Sequence, residues 1–195
     1  MKTFTTYFIL FSFVLIFSSC DTDLTPKPRG YYRIDLPQKN YTLFDSVYPY
    51  IFEYPTYARI SPRIDSRSEP YWINIIFPNL NGEINVSFKK INTKDDLKRF
   101  INDSFEFTSK HVQKASSINE IIIRNDSLKV YGMLYDIQGI ETASSCQFYM
   151  TDSTKNFFRG ALYFNTRPNN DSLAPVIEFL KADINHLIST FKWKK

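Results

Sequence analysis

The chain has 195 residues, 43% of them hydrophobic and 17% aromatic, with a formal net charge of +4; this is enough apolar material for the core of one ordinary domain and excludes a disordered chain. Charges of both signs are spread along the whole length, which excludes the concentrated basic footprint of a nucleic-acid-binding protein. Five glycines, two histidines and two cysteines leave no material for a phosphate-cradling glycine loop, and no zinc-ligand spacing, dinucleotide fingerprint or nucleophile elbow occurs.

Residues 1–19 have the parts of a secretory signal peptide: Lys2, an apolar run from Phe4 to Phe17, then the small residues Ser18 and Ser19. The run is shorter than the roughly 20 apolar residues that spanning requires, and it soon meets Asp21 and Asp23. Cys20, directly after the two serines, stands where a bacterial lipoprotein signal places the cysteine that becomes the acylated first residue. Two or three acyl chains, palmitate among them, would hold firmly where one binds only marginally. With Cys20 acylated, Cys146 has no disulfide partner. Period two puts Cys146 on one strand face with Phe148 and Met150, so a buried core thiol is expected. Residues 20–30 carry two prolines and no hydrophobic period, which predicts an extended tether of at most about 30 Å.

The remaining residues, 31–195, read as a single globular domain. Seven of the whole chain's thirteen tyrosines, among them Tyr31, Tyr32, Tyr41 and Tyr48, crowd into residues 31–57. Half-buried strands favour tyrosine, and so do protein-binding surfaces. Tyr50 to Pro55 predicts a core strand stopped by proline, Ala58 to Ile60 a short second one, and Tyr71 to Phe77 with Glu83 to Ile91 a hairpin. Thr93, with Asp96 three residues on, predicts a capped helix over 94–114 whose apolar face is Leu97, Ile101, Phe105, Thr108 and Val112, with Phe100 on the flank. Strands are expected at 119–124, 128–137, 142–150 and 157–166, joined as an antiparallel meander. From Ser172, the residues Leu173, Val176, Ile177, Leu180, Ile184, Leu187, Ile188 and Phe191 trace one face of a second helix. Pro175 is expected in its first turn and the basic Lys192-Trp193-Lys194-Lys195 at its end. The expected fold class is α+β: a mainly antiparallel sheet of about six to eight strands packed by two helices.

No spacing of carboxylates, histidines or cysteines favours catalysis, so the expectation is a protein without enzyme activity, metal or cofactor. His186 falls opposite Leu180, Ile184 and Leu187 and reads as a solvated surface residue, and His111 sits at the border of the first helix's apolar face. The triplets Asp45-Ser46-Val47, Asp126-Ser127-Leu128 and Asp171-Ser172-Leu173 suit turns and caps; they also resemble the O-glycosylation acceptor pattern of exported Bacteroidetes proteins.

The signal with Cys20, followed by Pro26-Lys27-Pro28-Arg29-Gly30-Tyr31-Tyr32-Arg33-Ile34-Asp35-Leu36-Pro37, resembles the GldD family of gliding-motility lipoproteins of Bacteroidetes. The resemblance implies a lipid-anchored component of the cell envelope that works in gliding and the linked type IX secretion machinery, as an assembly or stabilising part. It implies other motility and secretion-complex proteins as partners, the outer membrane as location, and no catalytic residues. The residues expected to dock a partner are Arg29, Tyr31, Tyr32, Arg33, Tyr41 and Tyr48. The alternative is an envelope domain that holds a small ligand, glycan or peptidoglycan fragment against its sheet. In fold alone, Tyr50 to Pro55, Ala58 to Ile60 and a helix opening at Thr93 are similar to the start of Mog1/PsbP-like domains.

Overall fold

Apolar side chains at every second position draw most of the domain into strands, and the two stretches with a 3.6-residue period become helices. A computed structural model describes residues 33–194, apart from Asp65 and Arg67. The expected signal peptide, Cys20, the tether with Arg29, and Tyr31 and Tyr32 lie outside the described residues. In chain order these form β1 (Tyr41–Phe44), β2 (Tyr50–Pro55), β3 (Arg59–Pro62), β4 (Ile73–Phe77), β5 (Gly82–Lys90), α1 (Lys94–Ser109), β6 (Ser117–Asn125), β7 (Val130–Gln138), β8 (Cys146–Thr151), β9 (Asn156–Phe164), α2 (Asn170–Thr190) and β10 (Lys192–Trp193). Seven strands make one sheet in the order β3-β4-β5-β9-β8-β7-β6, with every neighbouring pair antiparallel. A second sheet has β2 between β1 and β10, again antiparallel. The expected α+β architecture, an antiparallel sheet packed by two helices, is the one that forms.

The large sheet has a dry face and a mixed face. Ile73, Ile75 and Phe77 of β4, Ile84, Val86 and Phe88 of β5, Phe148 and Met150 of β8, and Phe158 and Leu162 of β9 point to the dry one. They meet Tyr50 and Phe52 of β2 and Val176, Leu180, Ile184 and Leu187 of α2 in the main core. Each such fully buried side chain contributes about 1.5–3 kcal/mol relative to exposure. Close packing dictates a glycine at the centre. Gly160 lies between Val86 and Phe148 in register, and a Cβ there would come within 2.4 Å of the Phe148 ring. On the mixed face α1 lays Phe100, with Leu97 and Ile101, over Tyr135, Ile137, Tyr149 and Phe157.

Several elements differ from the expectation for physical reasons. The Thr93 capping box forms: the Thr93 hydroxyl accepts from the Asp96 N–H at 3.1 Å, and Asp96 accepts from the Thr93 N–H at 2.9 Å. The helix ends at Ser109, not 114, and its buried line is Phe100, Ser104 and Thr108. Ser104 and Thr108 face the sheet because their hydroxyls donate to the carbonyls of Phe100 and Ser104, four residues back. Phe105 is left 54% exposed. The strand expected from 142 starts only at Cys146. Ahead of it the Thr142 and Ser144 hydroxyls donate to local carbonyls, of Gly139 and Cys146, and Asn170 Nδ2 ties Thr142 to the start of α2. Asn169 caps α2, which puts Pro175 beyond the first turn. The helix stops at Phe191, whose backbone turns extended; Lys192 and Trp193 then pair with Ile51 and Tyr50 of β2. The basic C-terminus is therefore a strand and not a helix end.

Candidate functional site

The tyrosine-rich region begins as an irregular strap. Residues 33–40 have no regular structure; Arg33 is exposed and pairs at 3.2 Å with the equally exposed Asp35, and Ile34 and Leu36 are 39% and 37% exposed. The strap is fixed at its far end. Lys39 Nζ donates to Asp183 at 2.6 Å and to the Phe179 carbonyl at 2.9 Å, and it sits over the Phe179 ring. The Tyr41 hydroxyl donates to Asp183 at 2.9 Å, and the Tyr57 hydroxyl donates to the other carboxylate oxygen. Asp183 is 2% exposed, on the apolar face of α2. A carboxylate in such a place is tolerated only when it is paired and hydrogen-bonded. Burial and the bond to Asp183 raise the Tyr41 pKa to about 12, and the same causes raise that of Tyr57.

Asp183 was not among the residues marked from sequence, although a carboxylate between Leu180, Ile184 and Leu187 breaks the apolar stripe and could have been noticed. Its donors, up to 144 positions away, could not. Of the expected docking residues, Tyr41 also stacks on His186 with ring centroids 3.6 Å apart. Tyr48 packs against Phe44 and Tyr50 at 5.2 and 5.6 Å. Both rings thus belong to the packing of the domain, Arg33 is exposed, and Arg29, Tyr31 and Tyr32 lie outside the described residues. His186 is not solvated as expected: β1 and β2 cover that flank of α2, and its Nε2 lies 2.7 Å from Glu53 Oε2. His111 follows the end of α1, where burial and the charge of Arg159 lower its pKa. Cys146 is the buried core thiol expected, and burial pushes its pKa up to about 12. Among the described residues no three His, Cys, Asp or Glu side chains converge to hold a metal.

On the mixed face, α1 leaves part of the sheet uncovered. Between it and β5, β9 and Trp72 lies a cleft of about 450 Å³, lined by Phe100, Asp103, Ser104 and Phe107 of α1, Ser87 and Lys89 of β5, Phe157, Arg159 and Tyr163 of β9, and Arg63 and Trp72. Three cations each lie over an aromatic ring of the same cleft: Arg63 over Trp72 at 5.3 Å, Lys89 over Phe100 at 5.1 Å and Arg159 over Phe107 at 4.6 Å. Arg159 Nη2 donates to Gln147 Oε1 at 2.6 Å. Gln147 is 1% exposed, and its Nε2 has no hydrogen-bond partner among the described residues. Burial lowers the Arg159 pKa, against which Tyr163 beside it acts; the guanidinium stays charged at any physiological pH.

Comparison with known proteins returns the same answer as the Pro26–Pro37 segment. The chain is similar in fold to the solution structure of cyanobacterial PsbP (CyanoP) from Synechocystis sp. PCC 6803, with 13% identity over 83% of this chain and 97% of that one and a TM-score of 0.45. No curated protein matches the chain. The profile described as gliding motility lipoprotein GldD matches residues 21–193, nearly everything after Cys20. The chain belongs to the GldD family of gliding motility lipoproteins.

Proposed function

We propose that the chain is a non-enzymatic interaction module of the gliding machinery and the linked type IX secretion apparatus. Lipid on Cys20 holds it at the outer membrane, and it docks a neighbouring component through residues 29–36. Membership of a gliding-motility lipoprotein family supports the anchored, envelope-bound part of this reading. The observation that carries the docking part is the strap: Ile34 and Leu36 are exposed beside Arg33, while Lys39 and Tyr41, a few residues on, are fastened to Asp183. Apolar and arginine side chains presented on a segment fixed at one end lose less entropy on docking than they would on a free one. Replacing Arg29, Tyr31 and Tyr32 together with alanine is expected to abolish colony spreading while the protein accumulates to its normal level. Normal spreading by that strain would overturn the docking role.

A further inference from the structure

We propose that the cleft between α1 and the β5–β9 face binds an oxyanion, a carboxylate or phosphate, carried on a flat apolar or aromatic body. This is independent of the strap, which lies with α2 on the other side of the large sheet.

Charge is the first argument. Arg63, Lys89 and Arg159 line the cleft against Asp103. Lys89 has Glu69 at 3.6 Å, whereas among the described residues Arg159 has no carboxylate within ion-pair distance. A guanidinium offers five N–H donors; Gln147 Oε1 accepts from Nη2 and Tyr163 also hydrogen-bonds the group, and neither partner carries a full negative charge at neutral pH. A half-buried cation left in this state is stabilised by an anion that arrives with its own acceptors in a planar pair, which is what a carboxylate or phosphate edge supplies.

Shape is the second. About 450 Å³ falls within the range of about 300–1,000 Å³ usual for small-molecule sites. The lining includes the aromatic residues Trp72, Phe100, Phe157 and Tyr163, which suit a ring or other flat apolar group. A wider groove of about 700 Å³ beside the start of α2 lacks this character, because its lysines Lys114 and Lys181 are already paired with Glu141 and Glu178.

The test uses the mature lipidated chain in detergent micelles with Trp193→Phe, which leaves Trp72, in the cleft wall, as the fluorophore. Phenylacetate and phenyl phosphate are titrated against phenylacetamide, which has the same ring without the charge. At least one of the two anions is expected to change Trp72 emission saturably, with a dissociation constant in the millimolar range or tighter. Binding of the amide, and of the anion to Arg159→Met, is expected to be about ten- to hundredfold weaker. The better of the two anions identifies the head group. The proposal is overturned if neither anion saturates, if the amide binds as well as the anions, or if folded Arg159→Met binds undiminished. Should Arg159→Met fail to fold, the comparison of anion with amide on the unsubstituted arginine decides alone.

Discussion

Asp183 accepts one lysine and two tyrosine hydroxyls while almost wholly out of water. Its removal strands three donors at once. Asp183→Ala is therefore expected to cost about 3 kcal/mol, seen as a lower midpoint in urea at unchanged slope. Lys39→Met should cost clearly less, because the Lys39 ammonium is partly in water and Asp183 keeps both hydroxyls. Cys146 and Asp183 show what could and could not be read at this scale. The place of Cys146 follows from a period of two within one strand. That of Asp183 depends on partners from three other segments, and no local pattern encodes them. His186 failed for a related reason: its helical face was assigned correctly, but β1 and β2, which cover that face, were not in view.

Turns and helices carry their own chemistry. The β8–β9 turn is built on Asp152, whose Oδ1 accepts from the N–H groups of Thr154, Lys155 and Asn156 at 2.9, 2.7 and 2.9 Å; its Oδ2 accepts from the Asn156 side chain. Burial raises the pKa of this carboxyl, yet those donors outweigh it and hold the folded value below 3.8. A depressed folded pKa contributes stability that is complete above the unfolded value of about 3.9 and is lost as pH falls through the folded one. Asp152→Asn is thus expected to cost about 1–2 kcal/mol at neutral pH. The gap to the parent should narrow below about pH 4, as thermal melts across pH 2–7 would show. A gap that stays constant down to pH 2 would mean that the charge on Asp152 is not what holds the turn. The alternating strands of the large sheet, and the N-cap of α1, could be read because each is a short-range pattern. The strands β1 and β10, four and two residues long, could not. They exist because β2 offers both edges, and a two-residue strand has no period to detect. Of the buried line of α1, Thr108 was on the expected face and Phe100 on its flank, while Ser104 escaped because it is a hydroxyl that satisfies itself on the carbonyl of Phe100.

At the scale of the whole molecule, the layering of two helices on an antiparallel sheet was legible from the order of elements, and the family from one proline-rich segment. The mixed-face cleft was not, because Arg63, Lys89 and Arg159 come from three strands or loops with no shared spacing. On the proposed reading, export and anchoring rest on residues before the domain. Cys20→Ala is expected to shift the protein from the membrane to the soluble fraction, as fractionation and immunoblotting would report; retention without lipid would make the run from Phe4 to Phe17 an anchor in its own right. The fastening at Asp183 has a mechanical meaning for a lipid-tethered part of a moving envelope. On the proposed reading, in which lipid on Cys20 anchors the chain, tension from the anchor reaches the described residues at Arg33 and meets Lys39 and Tyr41, fastened to Asp183, early in the domain. From there it passes into α2, one wall of the main core, and through the β1 ladder into β2. It reaches the seven-stranded sheet through that core, through Tyr57, which donates to Asp183 just ahead of β3, and through the ion pair of Lys181 on α2 with Asp136 on β7, while the Arg159 cleft lies on the sheet's far face. The buried carboxylate is in this sense a strain relief, taking the tug of the membrane where the chain can bear it.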